Sequence, residues 1–190
     1  GPAIARLLFG EVSPSGRLPI TFPASVAQLP RADLPEKQID YNVEGADVGY
    51  KWFDAHRLQP LFAFGFGLTY SRFQYSNLSV EQTEPELVVR FDVRNVGERD
   101  AMEVAQLYIQ LPPASGADAP RLAGWKKLAI PPGQTRTVRL TIDKRLAATF
   151  DSGANDWRIS AGTYRVSAGP NERDQVLSVT TPLRARRFAP

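Results

Sequence analysis

Facing carboxylates roughly 5 to 9 Å apart can cleave a glycosidic bond, a serine beside an imidazole can attack an acyl carbon, and histidine–cysteine clusters can hold a metal. With no cysteine and a single histidine, His56, the chain has material for the first of these chemistries, one imidazole for the second and none for the third. The acidic residues of the N-terminal part are Glu11, Asp33, Glu36, Asp40, Glu44, Asp47 and Asp54. Asp33, Glu36 and Asp40 lie in a polar connection and are predicted to be solvated. Glu44 and Asp54 stand among aromatics, but beside Gly45 or at a strand end they read first as turn or cap acceptors. No catalytic residue is therefore assigned to the chain.

His56 has no Gly-x-Ser-x-Gly elbow to serve and reads as a surface loop residue or hydrogen-bond donor. Gly65-Phe66-Gly67 lacks the Lys-Ser/Thr ending of a phosphate loop. The stretch from Asp151 to Asp156 has oxygen ligands without the spacing of a calcium loop and reads as a turn. Asn77-Leu78-Ser79 matches a glycosylation triplet, relevant only to a secreted eukaryotic protein. No cofactor or metal site is expected. Tyr50 and Trp52 are the two residues with a substrate-stacking reading: a strand over 48–53 puts both on one face, although most such stripes are core. Trp125 and Trp157 read as packing residues.

The elements that must position these residues fall into two textures. Residues 3–9 have the composition of a last helical turn or two, stopped by Gly10. Residues 18–22 form a short strand in which Pro19 argues for an edge or irregular pairing. A proline-punctuated connection over 23–41 follows, long enough to drape over a larger body. Residues 44–70 then pack Tyr50, Trp52, Phe53, Phe62, Phe64, Phe66 and Tyr70 among four glycines, which reads as a core-closing segment. The roughly 43 residues before it are too few to bury that surface alone, so the chain reads as the tail of something larger.

From residue 76 a period of two takes over. Leu87, Val89, Phe91 and Val93 define one apolar face, and the alternation recurs over 105–111, 138–142, 164–168 and 177–179. With turn signals between them, about seven or eight strands over roughly 110 residues predict an antiparallel two-sheet sandwich of immunoglobulin or fibronectin type III style. Tyr164, after Gly162 at the entry to a late strand, is placed like a tyrosine-corner residue.

Composition agrees with a globular, mainly β chain: 190 residues, 43% hydrophobic, 10% aromatic, 16 prolines and 14 glycines. The net charge of +3 is scattered apart from Arg184, Arg186 and Arg187, which argues against nucleic acid as a partner. No apolar run approaches the roughly 20 residues of a membrane helix, so no membrane partner is expected either. Absence of cysteine suits cytoplasm and bacterial periplasm equally.

Long motifs in a fixed order carry a resemblance. Leu7-Leu8-Phe9-Gly10 with the run from Pro14 to Pro23 (PSGRLPITFP), then Glu44-Gly45, Val48-Gly49-Tyr50 and Trp52-Phe53-Asp54, then Pro60-Leu61-Phe62, Phe64-Gly65 and Gly67-Leu68-Thr69-Tyr70 resemble the C-terminal portion of glycoside hydrolase family 3, the β-glucosidase and β-xylosidase group. Asn95-Val96-Gly97, the run from Glu103 to Tyr108, Leu122-Ala123-Gly124-Trp125-Lys126 and Pro132-Gly133 resemble its fibronectin type III-like domain. Ala63, Lys51 and Phe66 are small departures.

The resemblance implies that residues 1–70 are the C-terminal segment of an α/β sandwich domain with its draped loop, and that residues 71–190 are the fibronectin type III-like domain. It implies a retaining, exo-acting β-glycosidase whose aspartate nucleophile and glutamate acid/base lie upstream, so that this chain alone is inactive. The implied partners are the upstream catalytic chain or domain and, through it, a β-glucoside or oligosaccharide; a periplasmic or secreted location is implied as well. The alternative is a free-standing fibronectin type III-like module that binds carbohydrate or protein or acts as a stabilising unit, against which residues 1–70 speak, because a module has no use for an orphaned aromatic segment.

Overall fold

The computed structural model describes residues 1–31, 42–83, 86–116 and 119–190. Asp33, Glu36 and Asp40, and the later part of the 23–41 connection, lie outside the described residues. Among the described residues, two α-helices, α1 (Pro2–Leu8) and α2 (Tyr50–Ala55), precede ten strands: β1 (Phe73–Thr83), β2 (Glu86–Asn95), β3 (Ala101–Gln110), β4 (Arg121–Ile130), β5 (Thr135–Ile142), β6 (Thr149–Asp151), β7 (Asp156–Ile159), β8 (Gly162–Gly169), β9 (Leu177–Leu183) and β10 (Arg186–Phe188). A three-stranded sheet, β1-β2-β5, and a four-stranded sheet, β4-β3-β8-β9, are antiparallel throughout and share one hydrophobic core. A small sheet, β10-β7-β6, flanks them.

The period of two read from the sequence is the period of the core. Leu87, Val89, Phe91 and Val93 point inward from β2, meeting Leu107 and Ile109 of β3, Val138 of β5, and Tyr164 and Val166 of β8. Tyr164 donates its hydroxyl hydrogen to Ser160 O at 2.9 Å, the bond expected of a tyrosine corner. Strand β1 escaped a simple alternation because its register shifts between Ser76 and Ser79, where Asn77 adopts φ 58°. The extra residue moves the core-facing set from Phe73 and Tyr75 to Leu78 and Val80. Asn77 itself donates to Asp92 Oδ2 at 2.8 Å.

Trp125 departs from expectation. A register shift between Leu107 and Tyr108 in the β3–β4 pair puts Gly124 on the inner face against Leu140, so Trp125 turns outward on an edge strand and is 62% exposed. Trp157 does pack against the core, edge-on to Phe150 at 5.3 Å. Asp151 Oδ1 accepts from the amides of Gly153 and Ala154 in the β6–β7 turn, as read.

The N-terminal part is built as irregular chain. Helix α1 stops before Gly10, whose φ of 73° is open to glycine. Residues 18–22 pair irregularly with residues 61–66: Leu18 N donates to Phe66 O at 2.8 Å and Phe22 N to Phe62 O at 2.9 Å. Only Phe22 and Phe62 form a ladder bridge, because Pro19 has no amide hydrogen to continue one. The strand predicted over 48–53 is instead a helix, α2. Gly49 at φ 66° breaks the extended chain immediately before Tyr50, and a six-residue aromatic stretch is too short for periodicity to separate helix from strand.

Candidate functional site

The described residues of the first seventy lie against the outer face and one end of the four-stranded sheet, and polar contacts line that seam. Strand β3 is consequently buried on both faces. Besides the inward Ala105, Leu107 and Ile109, the outward Gln106 and Tyr108 are also buried. Gln106 donates to Gly65 O at 3.2 Å and to Pro170 O at 2.8 Å, while accepting from the Tyr108 hydroxyl at 2.6 Å. A Cβ at Gly65, where φ is 79°, would collide with the Gln106 amide, so the glycine is required for this close approach. Burial raises the Tyr108 hydroxyl's pKa well above its ordinary value.

Tyr50 sits on α2 with its ring 5.1 Å from Phe64 and edge-on to Tyr108 at 6.3 Å, and its hydroxyl accepts from Leu122 N at 2.9 Å. Trp52 donates its indole N–H to Gln28 O at 3.0 Å and stacks on His56, centroid to centroid 3.7 Å. His56 caps the end of α2, with Nδ1 3.0 Å from Trp52 O. Two residues apart on a helix, Tyr50 and Trp52 project to different sides, so the shared face expected for stacking is not formed. Each polar handle is already engaged with backbone.

The second feature of the seam is a carboxyl pair that sequence reading did not find. Asp54 of α2 meets Glu172 and Arg173 of the β8–β9 loop: Arg173 Nη1 lies 3.0 Å from Asp54 Oδ1 and Nε lies 3.2 Å from Glu172 Oε2. Glu172 N donates to Phe64 O at 3.1 Å, and Arg173 Nη2 donates to Leu58 O at 3.1 Å, so the loop is bonded to the aromatic segment on both sides of the pair. The Asn171 side chain accepts from the amides of Arg173 and Asp174 and sets this turn. Two carboxyls share one guanidinium in a site where Glu172 is only 5% exposed. Burial, reinforced by the Asp54 charge and opposed by Arg173, pushes the Glu172 carboxyl up to about 8. Burial raises Asp54 as well, with Arg173 working against it. Asp54 Oδ2 is buried without a hydrogen-bond partner, a shortage that a proton held between the two carboxyls relieves.

The pair resembles a perturbed acid–base dyad, yet the two carboxyls touch each other and Arg173, leaving no room for a sugar between them. The arrangement stores a proton and joins two segments. No motif announces it, since Glu172 and Arg173 lie 118 and 119 positions from Asp54.

At the open end of the sandwich, Arg17 Nη2 pairs with Glu103 Oε2 at 2.7 Å, and the Tyr75 hydroxyl donates to Glu103 Oε1 at 2.8 Å. Both charged side chains are buried. Glu11, by contrast, makes an exposed pair with Arg6 at 2.8 Å. Among the described residues no cluster of three or more His, Cys, Asp or Glu could hold a metal, and no helix is long and apolar enough to cross a membrane.

Two family models match: the glycosyl hydrolase family 3 C-terminal domain over residues 1–70 and the fibronectin type III-like domain over residues 103–172. Thermostable beta-glucosidase B of Acetivibrio thermocellus is 36% identical over 185 residues, covering 93% of this chain and 24% of that protein. Probable beta-glucosidase J of Neosartorya fischeri is 37% identical, covering 88% of this chain and 21% of that protein. The solved β-glucosidase 3B from Thermotoga neapolitana in complex with glucose superposes with a TM-score of 0.88 at 33% identity, over 98% of this chain and 27% of that one. The family 3 β-glucosidase of Bifidobacterium adolescentis gives a TM-score of 0.90 at 32% identity, over 97% of this chain and 28% of that one. The chain thus spans about a quarter of the length of these proteins. The aromatic segment, the seam and the sandwich all fall within these matches, and the chain belongs to glycoside hydrolase family 3, corresponding to the C-terminal portion of its members with the fibronectin type III-like domain included.

Proposed function

We propose that this chain is the C-terminal part of a retaining, exo-acting β-glycosidase that releases terminal glucose from β-D-glucosides, with the catalytic aspartate and glutamate on upstream sequence. The observation that supports it most is the match, over nearly the whole chain, to the C-terminal quarter of β-glucosidases. The division at residue 70 follows the same reading: residues 1–70 complete an upstream α/β domain, and residues 71–190 buttress it through the seam. Ile4, Leu8, Phe9, Ile20, Leu61 and Leu68 are exposed apolar residues of the first part and supply the surface on which the upstream domain packs.

The purified 190-residue chain is expected to hydrolyse no aryl β-glucoside, and mixing it with the upstream fragment is expected to restore turnover. Turnover by the chain alone sinks the reading. Tyr50 and Trp52 take a supporting role in it. In the whole enzyme Trp52→Ala lowers stability by about 2 kcal/mol, through the lost bond to Gln28 and the lost stack on His56, with little change in KM. A near-normal Tm with a large rise in KM reverses that ranking.

A further inference from the structure

A cleft of about 680 Å³ opens beside the seam, between α2 and the strands of the small sheet. Lys51 and Arg121 form one wall, Phe150 and Trp157 another, with Asp143 and Arg145 at its edge. Arg145 is already closed on Asp143, Nη2 to Oδ2 at 2.5 Å, so these two charges cancel. Lys51 and Arg121 have no such partner: neither takes part in an ion pair among the described residues. Arg121 spends Nη1 on the carbonyls of Leu146 and Ala148, at 3.1 and 2.6 Å, which fixes the guanidinium and leaves Nε and Nη2 for a ligand.

Two cations held together in a partly buried cleft repel each other. Burial and the Arg121 charge together lower the Lys51 ammonium below its ordinary value, and Asp47 offsets this only in part. An anion is the group that would relieve both. Phe150 is 47% exposed and lies edge-on to Trp157, so the cleft also presents aromatic surface of the kind that stacks on a sugar ring. Cationic donors and an aromatic wall in one concavity are complementary to a ring that carries a carboxylate.

We propose that this cleft binds a uronic acid unit of an oligosaccharide, with Lys51 and Arg121 on the carboxylate and Phe150 against the ring. The inference rests on the cleft alone and stands apart from the β-glucosidase reading. It is tested on the isotope-labelled 190-residue chain by following the Trp157 indole resonance during titration with D-glucuronate, D-glucose and inorganic phosphate. Glucuronate is expected to give saturable shifts, glucose none at the same concentrations, and phosphate binding at least about tenfold weaker than glucuronate. Lys51→Gln and Phe150→Ala are each expected to weaken glucuronate on the order of tenfold with an unchanged Tm. These two variants carry the test because Arg121 also ties two carbonyls. Phosphate binding as tightly as glucuronate shows a simple anion site and overturns the proposal. It is equally overturned by glucose binding as well as glucuronate, by the absence of a saturable shift, or by normal binding in both variants.

Discussion

Glu103→Ala is expected to lower the unfolding free energy of the chain by about 3–5 kcal/mol, the range for removing one partner of a buried ion pair. Glu103 accepts from Arg17 at 2.7 Å and from the Tyr75 hydroxyl at 2.8 Å, with both charged side chains shielded from water. Deleting the carboxylate strands a buried guanidinium and a buried phenol and leaves a cavity between them. Urea titration reads the loss as a fall in the midpoint with m unchanged, provided unfolding remains two-state. The loss reflects the uncompensated charge rather than the worth of the pair. Arg17→Met combined with Glu103→Leu is therefore expected to recover most of it. A loss below about 1 kcal/mol in the single variant, or an equal loss in the double variant, contradicts this account.

The second large effect is a pH dependence with an unusual sign. Thermal stability is expected to fall as pH rises from about 5 to about 8, by on the order of 3 kcal/mol, because Glu172 keeps its proton in the fold and loses it in the unfolded chain. Within that window the unfolded state binds fewer protons than the native state, so the slope of stability against pH is negative. Below the ordinary glutamate range both states are protonated and the contribution is complete; above about 8 both are ionised and it is gone. Tyr50, Tyr108 and Arg173 are the other ionisable groups around the pair. Burial raises the two tyrosines. Asp143, held down to about 2 by Arg145, changes charge only in stronger acid and with the opposite sign. Glu172→Gln keeps the shape, supplies a permanent donor to Asp54 and flattens the profile. Calorimetric scans across this pH range decide the matter, since parallel slopes for the variant and the parent chain remove Glu172 as the cause.

The sandwich could be read from the chain because its strands are long and half-buried, so Leu87, Val89, Phe91 and Val93 record one face directly. Tyr164 could be read because its place beside Gly162 is local. Strand β1 was obscured by the register shift at Asn77, which reverses the alternation in mid-strand, and Trp125 was misplaced because a second shift turned it outward. Strand 48–53 became helix α2 because Gly49 stops the extended chain one residue before Tyr50.

The mainly β class, the sandwich with its inward residues and, through motifs in fixed order, membership of glycoside hydrolase family 3 are all written in the order of residues along the chain. Composition also sets what chemistry lacks material, since a chain without cysteine and with one histidine cannot build thiolate or multi-histidine sites. How the segment over 44–70 is used depends instead on packing in three dimensions. Its aromatics are not one sealed core: Phe53 is buried, Tyr50 packs on Phe64 and on Tyr108, and Phe62 and Tyr70 stay exposed. Packing alone joined Asp54 to Glu172 and Arg173, and Arg17 to Glu103. Periodicity reports which face of one element is apolar, whereas a buried charge pair depends on two elements meeting. That meeting is fixed by packing across residues 86 to 119 positions apart, and leaves no mark in either local pattern.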